Sequence, residues 1–435
     1  MGVAEVGVKP IALVQSARWR RLIPQSTSPG DIRSLDGLRA VAALSVLTFH
    51  AIQLTHDHLL LAGADFSFLA FYLQTGVHLF FILSGFLLFM PYARAMLDAR
   101  PLPSARRFYQ RRALRILPAY WVCLAILVLV ALPSYLSIFG LKDILFHLAL
   151  VHDDSYYFSR GIEGPFWTLA VEAQFYLILP LVALGISRIV GASRSVARLV
   201  TGLLAFIALA LVARYGDAIV QGRHLTMAPS ALATAMSVFL RVTLGAQGKF
   251  LDVFGVGMLC GVLYVAAERG QWMRRTATRM LGVACFIAGL GAIVGLAALE
   301  YHKEIAVPAY FLVVNRRDIL TLVGPLLVGC GYALVVLGVL WSGRAIRGVF
   351  EGRVIVFVGL ISYSLYLWQE PLLRLCTPAL TSVSAHWRIG ISLLAGLLMT
   401  VPVAYLSYQF VERPFLRRRQ RLARAVQQSE KIPTP

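Results

Sequence analysis

The chain is short of charge. Of its 435 residues only 14% are Asp, Glu, Lys or Arg, against roughly a quarter in soluble globular domains. With 58% hydrophobic residues and a mean hydropathy of +0.73, most of the chain is solvated by lipid. No long polar block stands apart that would fold alone, so a length that would otherwise allow two or three soluble domains belongs to one membrane domain. Acid is scarcer than base, 21 Asp and Glu against 41 Lys and Arg, for a net charge of +20. That excess does not signal nucleic acid. The basic residues come in short clusters between apolar runs, as in loops at one face of a membrane, and no nucleic-acid-binding fold accompanies them. Cysteine is sparse as well. The five (Cys123, Cys260, Cys285, Cys330 and Cys376) are odd in number, lack metal-ligand spacing and sit in or beside apolar stretches as small buried thiols. No metal site is expected. Residues 1–35 contain no short apolar segment with a cleavage site; they are polar and basic (Arg18, Arg20, Arg21, Arg33), so the first span is expected to be retained. The absence of an internal repeat disfavours the transporter folds built from matched halves.

What is present is a series of apolar runs. A spanning helix needs about 20 mostly apolar residues, and about ten segments qualify: 37–55, 74–93, 114–132, 166–187, 199–215, 250–267, 281–299, 318–341, 354–375 and 389–411. The fold class is an all-α polytopic membrane protein. Ile138–Val151 is too short and mixed to span and reads as an amphipathic helix lying at the interface. With ten spans both termini and the even-numbered connections share one side. Most of the Lys and Arg fall there, which makes both termini cytoplasmic by the positive-inside rule. Asp57, Asp65, Asp143, Asp153, Asp154 and Glu163 fall in the outer loops. The expected organisation is a basic cytoplasmic segment over 1–33, a transmembrane domain over 34–416 and a basic cytoplasmic tail over 417–435.

Ionisable residues inside spans are costly and mark function by default. In the first span Arg39 and His50 stand eleven residues apart. Eleven helical steps of 100° return to within roughly 20° of the same face and rise roughly 16 Å, which puts Arg39 near the cytoplasmic edge and His50 near mid-membrane. Asp36, one turn before Arg39, is placed to pair with it. Ala40, Ala42 and Ala43 allow close helix approach. Before the third span, Arg111, Arg112 and Arg115 share a helical face, and guanidinium groups bind phosphates through forked hydrogen bonds. A positive-inside signal with no ligand is the alternative. Gly85 in Gly76–Phe86 admits another backbone or a ligand. Glu172 lies in the fourth span, roughly 9 Å from its outer end, and needs a partner or water there. Tyr176 is one turn further, and Trp167 begins the same run. Tyr363 and Tyr366 belong to a polar, aromatic face over Ser362–Pro371, for which interfacial anchoring is the competing reading.

Taken together, these stretches resemble the acyltransferase-3 family of membrane O-acyltransferases, the polysaccharide O-acetyltransferase type. That family's Arg, ten residues, then His is matched by Arg39 and His50, and its Arg-x-x-Arg by Arg112 and Arg115. Its Gly-Val-x-x-Phe-Phe-x-x-Ser-Gly-Phe is matched from Gly76 to Phe86, and its Trp-[Ser/Thr]-Leu-x-Val-Glu-x-Gln-Phe-Tyr from Trp167 to Tyr176. Ser-Tyr-Ser-Leu-Tyr-Leu-Trp at Ser362–Trp368 and Glu-Arg-Pro-Phe at Glu412–Phe415 complete the series. Two positions depart: His78, where an acid is frequent, and Gln369, where His is frequent. Some members carry a C-terminal esterase-like domain, which this chain is expected to lack.

The resemblance implies transfer of an acyl group, usually acetyl, to a hydroxyl. The donor is acetyl-CoA or another acyl-CoA, and no cofactor stays bound. Arg111, Arg112 and Arg115 hold the donor phosphates. His50 acts as base or brief acyl carrier, with Arg39 and Glu172 beside it in the catalytic set. Asp36, Trp167, Tyr176, Tyr363 and Tyr366 line the substrate. The acceptor is a sugar of a cell-envelope polysaccharide, lipopolysaccharide included, or a glycolipid precursor, and the location is the bacterial inner membrane. Two rivals stay open: an acyltransferase acting on a small molecule or lipid, and a glycolipid transporter or flippase.

Overall fold

The computed structural model describes residues 32–418, except 56–59, 62–63, 66, 153–161, 163, 192–193, 225–248, 273–274 and 303–318. Nearly all of the proposed N-terminal segment and C-terminal tail, with Asp57, Asp153, Asp154 and Glu163, lie outside the described residues.

The described chain is helical, as lipid demands of a backbone that must satisfy its own N–H and C=O groups. In order the helices are α1 (Arg33–Gln53), α2 (Ser67–Tyr72), α3 (Gly76–Leu97), α4 (Ala105–Ile126), α5 (Ile138–Leu148), α6 (Phe166–Val190) and α7 (Val196–His224). Then follow α8 (Leu251–Arg269), α9 (Thr276–His302), α10 (Ile319–Trp341), α11 (Arg344–Phe350), α12 (Arg353–Leu360), α13 (Ser362–Leu380) and α14 (Ala385–Ser407). A two-residue antiparallel ladder, Leu60–Leu61 with Ala64–Asp65, is the sole β pairing among the described residues. Among the described residues nine helices are long and apolar enough to cross a membrane, and ten spans result if the bent pair α12–α13 is counted as one. Each of the ten expected segments coincides with one of these.

The ninth expected span is not straight. The apolar run from 354 to 375 bends by 74° between α12 and α13. The break follows Gly359, whose α-carbon lies against the backbone carbonyl of Asp36 in α1. Alpha12 is thus wedged against α1, and the chain turns there to continue alongside it. The turn sets Ser362 and Tyr363 at the first residues of α13, inside the bundle.

Alpha1 is central, packed against α3, α12, α13 and α14. Its Ala40, Ala42 and Ala43 are wholly buried, as small residues at helix crossings are. Alpha3 packs closely on α8 because Gly85 faces the Phe254 carbonyl and Gly257 faces that of Ile82. Phe175 stacks on Phe254 with ring centres 3.9 Å apart, tying α6 to the same core. Alpha5 forms where an interfacial helix is expected. Ile138 and Phe139 are 81% and 89% exposed there, an outward apolar face suited to acyl chains. On its inner side the His147 and His152 rings stack 4.0 Å apart, both wholly buried. Burial lowers His147 and pushes His152 down to about 3.

Candidate active site

Alpha4 starts at an N-cap, Ser104, whose side chain accepts from the Arg107 amide. Helical periodicity then sorts its arginines. Arg112 and Arg115 turn inward, while Arg111 is exposed. The inward pair lines a cavity of about 70 Å³, several times the ~10–15 Å³ one water needs. Arg39 of α1, Glu172 and Tyr176 of α6, and Ser362, Tyr363 and Tyr366 of α13 line it too. Seven of the residues expected at the site therefore share one cavity, although they come from four helices.

The cavity is wired by hydrogen bonds. Glu172 Oε1 accepts from Ser84 Oγ and from Tyr176 OH, each at 2.5 Å. The Tyr176 ring carries the Arg112 guanidinium 5.8 Å from its centre, and Phe108 flanks that group at 6.0 Å, a cation–π arrangement. Arg39 Nη1 donates to Asp36 Oδ1 at 3.1 Å, so the expected pairing one turn away is formed. Asp36 acts on the cavity through Arg39 without lining it. Tyr363 OH donates to the Ile116 carbonyl at 2.8 Å. Tyr366 OH meets Thr168 Oγ1 at 2.7 Å and donates to the Pro165 carbonyl at 3.1 Å. These phenols are fixed internally and are not anchors at an interface. Glu412 sits in a wide turn, Tyr408–Glu412, where Ser364 donates to its carboxylate.

Besides Asp36, three of the expected site residues stand outside the cavity. His50 does not line the cavity. It lies in the last turn of α1, because that helix begins at Arg33 and ends at Gln53. There its Nε2 stands 4.0 Å from Glu370 Oε2. Arg111 points away from the cavity. Trp167 precedes the cavity residue Thr168, so its side chain is turned about 100° from it; it packs on Phe250 with ring centres 5.7 Å apart.

The sequence alone does not single out Ser84 and Thr168, which line the cavity, or Glu370, which faces His50. Ser84 and Glu370 lie in stretches singled out for other positions. Nothing in the sequence pairs Glu370 with His50.

A second polar cluster surrounds Phe250. Arg214 pairs with Asp252 and lies over the Phe250 ring at 5.3 Å. Lys249 donates to Gln174. His78 meets the edge of the same ring at 5.4 Å. Asp252 supplies a carboxylate in this cluster. Gln369 is wholly buried.

Among known proteins, the family described as an acyltransferase domain matches residues 32–409. The peptidoglycan O-acetyltransferase OatA of Listeria monocytogenes is 25% identical over 398 residues, covering 88% of this chain and 55% of OatA. Nodulation protein 10 of Rhizobium leguminosarum bv. viciae is 31% identical over 172 residues, 35% of this chain and 45% of that protein. The chain thus spans about half the length of such curated relatives. No solved structure matches it. The match extends from the first turn of α1 to the wide turn after α14 and takes in every residue of the cavity. This multi-pass membrane protein belongs to the acyltransferase-3 family.

Proposed function

We propose that the protein transfers an acyl group, acetyl in the first instance, from acyl-CoA to a hydroxyl of a sugar in a cell-envelope polysaccharide or its lipid-linked precursor. The observation that carries this reading is the convergence of Arg39, Arg112 and Arg115 on one cavity inside the spans. Guanidinium groups are costly in lipid. A phosphate-bearing donor gives them work that a helix-end position does not. OatA, named for O-acetylation of peptidoglycan, supports the acceptor class. Both termini and the start of α4 are assigned to the cytoplasm of a bacterial inner membrane, on the distribution of basic loops.

In this reading Arg112 and Arg115 bind donor phosphate oxygens from within, and exposed Arg111 assists at the mouth. The Ser362 end of α13 adds the positive pole of a helix. The thioester arm extends along α1 towards His50, roughly 16 Å beyond Arg39, a span that a pantetheine chain reaches. His50 takes the proton of the acceptor hydroxyl. The acceptor oxygen bonds to the thioester carbon, the carbon–sulfur bond breaks, and the coenzyme A thiolate leaves with the proton from His50. Glu172, held by Ser84 and Tyr176, keeps Arg112 aligned through the Tyr176 ring.

The test uses membranes carrying the full chain and radiolabelled acetyl-CoA. His50→Ala is expected to abolish transfer to envelope glycan, and unchanged transfer would sink the role of His50. Arg112→Ala with Arg115→Ala is expected to weaken coenzyme A binding at least about tenfold, each lost charged contact being worth roughly 1.5–3 kcal/mol. Undiminished binding in folded protein removes the phosphate assignment.

A further inference from the structure

We propose that Glu370 is the positioning carboxylate of His50, orienting its imidazole for the transfer reaction; this rests on the reading of His50 as the base. The two residues come from α1 and α13, which run side by side. Glu370 Oε2 faces His50 Nε2 at 4.0 Å, with the two side chains 8% and 12% exposed. That separation is ion-pair reach and is longer than a hydrogen bond, so a small movement of either side chain on substrate entry joins them.

The carboxylate is built in. Arg374, one turn on in α13, donates to Glu370 Oε1 through Nε at 3.0 Å and also through Nη2. This leaves Oε2 as the atom that faces the imidazole. Gly164 closes over it, and a β-carbon there would come within 2.7 Å of Oε2. A buried carboxylate is expensive unless paired. Arg374, 59% exposed at its side chain, neutralises Glu370 from the solvent side. A surface pair with Arg374 would not need Oε2 turned inward to His50.

The pair lies one helical turn from the cavity lining. Tyr366, a cavity residue, is one turn before Glu370 on α13, a rise of roughly 6 Å. The His50–Glu370 pair therefore sits at the next level above Tyr366 and Thr168, where an arm passing the arginines arrives. A carboxylate on one imidazole nitrogen fixes the ring and leaves the other nitrogen to take the hydroxyl proton, as in other histidine bases.

The experiment measures steady-state transfer from acetyl-CoA in detergent-purified full-length protein for Glu370→Gln, Glu370→Asp, His50→Ala and His50→Ala with Glu370→Gln. Thermal midpoints serve as the check on folding. Glu370→Gln is expected to lower kcat at least about tenfold, a share of the ~10²–10⁴ that general-base catalysis supplies. The KM for acetyl-CoA stays within about twofold. Glu370→Asp, which keeps the charge, recovers part of the loss, and it carries the test if the Gln variant does not fold. The double variant is expected to be no slower than His50→Ala alone, because the two act as a unit. A kcat for Glu370→Gln within twofold of wild type, or losses that multiply in the double variant, overturns the proposal. If His50→Ala itself retains wild-type kcat, the reading of His50 as base falls and this proposal with it. If His50→Ala is dead and Glu370→Gln is not, only the positioning role falls.

Discussion

Tyr176 does two separable things, and separating them tests the arrangement of the cavity. Its hydroxyl donates to Glu172 Oε1 at 2.5 Å, and its ring carries Arg112 at 5.8 Å. Tyr176→Phe removes the first and keeps the second. A hydrogen bond to a charged group contributes roughly 1.5–3 kcal/mol. A water entering the adjoining cavity restores part of it, at an ordering cost of about 0–2 kcal/mol. The net destabilisation is about 1–2 kcal/mol, and donor affinity stays within twofold because the ring remains. Tyr176→Leu removes both. The lost cation–π contact, ~0.5–2 kcal/mol, weakens acetyl-CoA binding about 2–30-fold at 1.4 kcal/mol per decade. Stability falls further, because Tyr176 is only 6% exposed. Thermal unfolding in detergent and titration with acetyl-CoA read the two quantities. If the Phe variant loses donor affinity as fully as the Leu variant, the ring does not hold Arg112 for the donor.

Two further outcomes follow from packing and burial. Gly359→Ala places a methyl group onto the Asp36 carbonyl. Alpha1 must shift and carry the Arg39–Asp36 pair with it. Misplacement of about 1 Å costs up to ~10²-fold in rate, so transfer should fall far more than the thermal midpoint, and wild-type kinetics would count against this wedge. The His147–His152 stack sets a pH limit on α5. Burial keeps His152 neutral down to about 3, and His147 is lowered too. The unfolded chain binds protons from pH 6.5 downward, so stability is full above 6.5 and is lost as pH falls below it. For His152 the loss reaches about 2 kcal/mol at pH 5. Thermal midpoints should be flat from pH 8 to 6.5 and drop towards 5, with a smaller drop for His152→Phe. A midpoint constant down to pH 5 contradicts the neutral stack.

The spans were legible because lipid imposes length and apolarity on each one, and those are local properties of sequence. The inward pair Arg112 and Arg115 was legible from spacing, since three residues along a helix return to one face. Adjacent Arg111 carries the same charge and was not separable from them, because sequence does not say where on the helix the bundle lies. The same ambiguity put Trp167 with the substrate residues, whereas one helical step turns it to Phe250. The bend before Ser362 was illegible because the apolar run continues through it; its cause is the backbone of another helix at Gly359. Glu370 was read only as part of an aromatic face because its partners, His50 and the loop at Gly164, come from remote segments.

The charges around the cavity explain how three arginines persist inside a bundle. Asp36 holds Arg39 at 3.1 Å, Glu172 reaches Arg112 through Tyr176, and Glu412 lies within the electrostatic reach of Arg115. Asp36 is in ion-pair contact with Arg39, while Glu172 and Glu412 act on Arg112 and Arg115 from longer range, and opposite charge nearby lowers the cost of buried charge. A balanced cavity has a consequence for the proposed donor. Phosphates entering it meet carboxylates as well as arginines, so the buried groups orient the donor more than they attract it. The attraction comes from the beginning of α4, where Arg106, Arg107 and Arg111 are exposed and no acid stands in the first turn. A field from exposed cations reaches only about one Debye length, ~8 Å at physiological salt. On the proposed reading the exposed cations draw the charged end of the donor to the mouth, Arg112 and Arg115 hold its phosphates just inside, and its uncharged arm lies among Tyr366, Thr168 and the His50–Glu370 pair, where burying more charge would cost most.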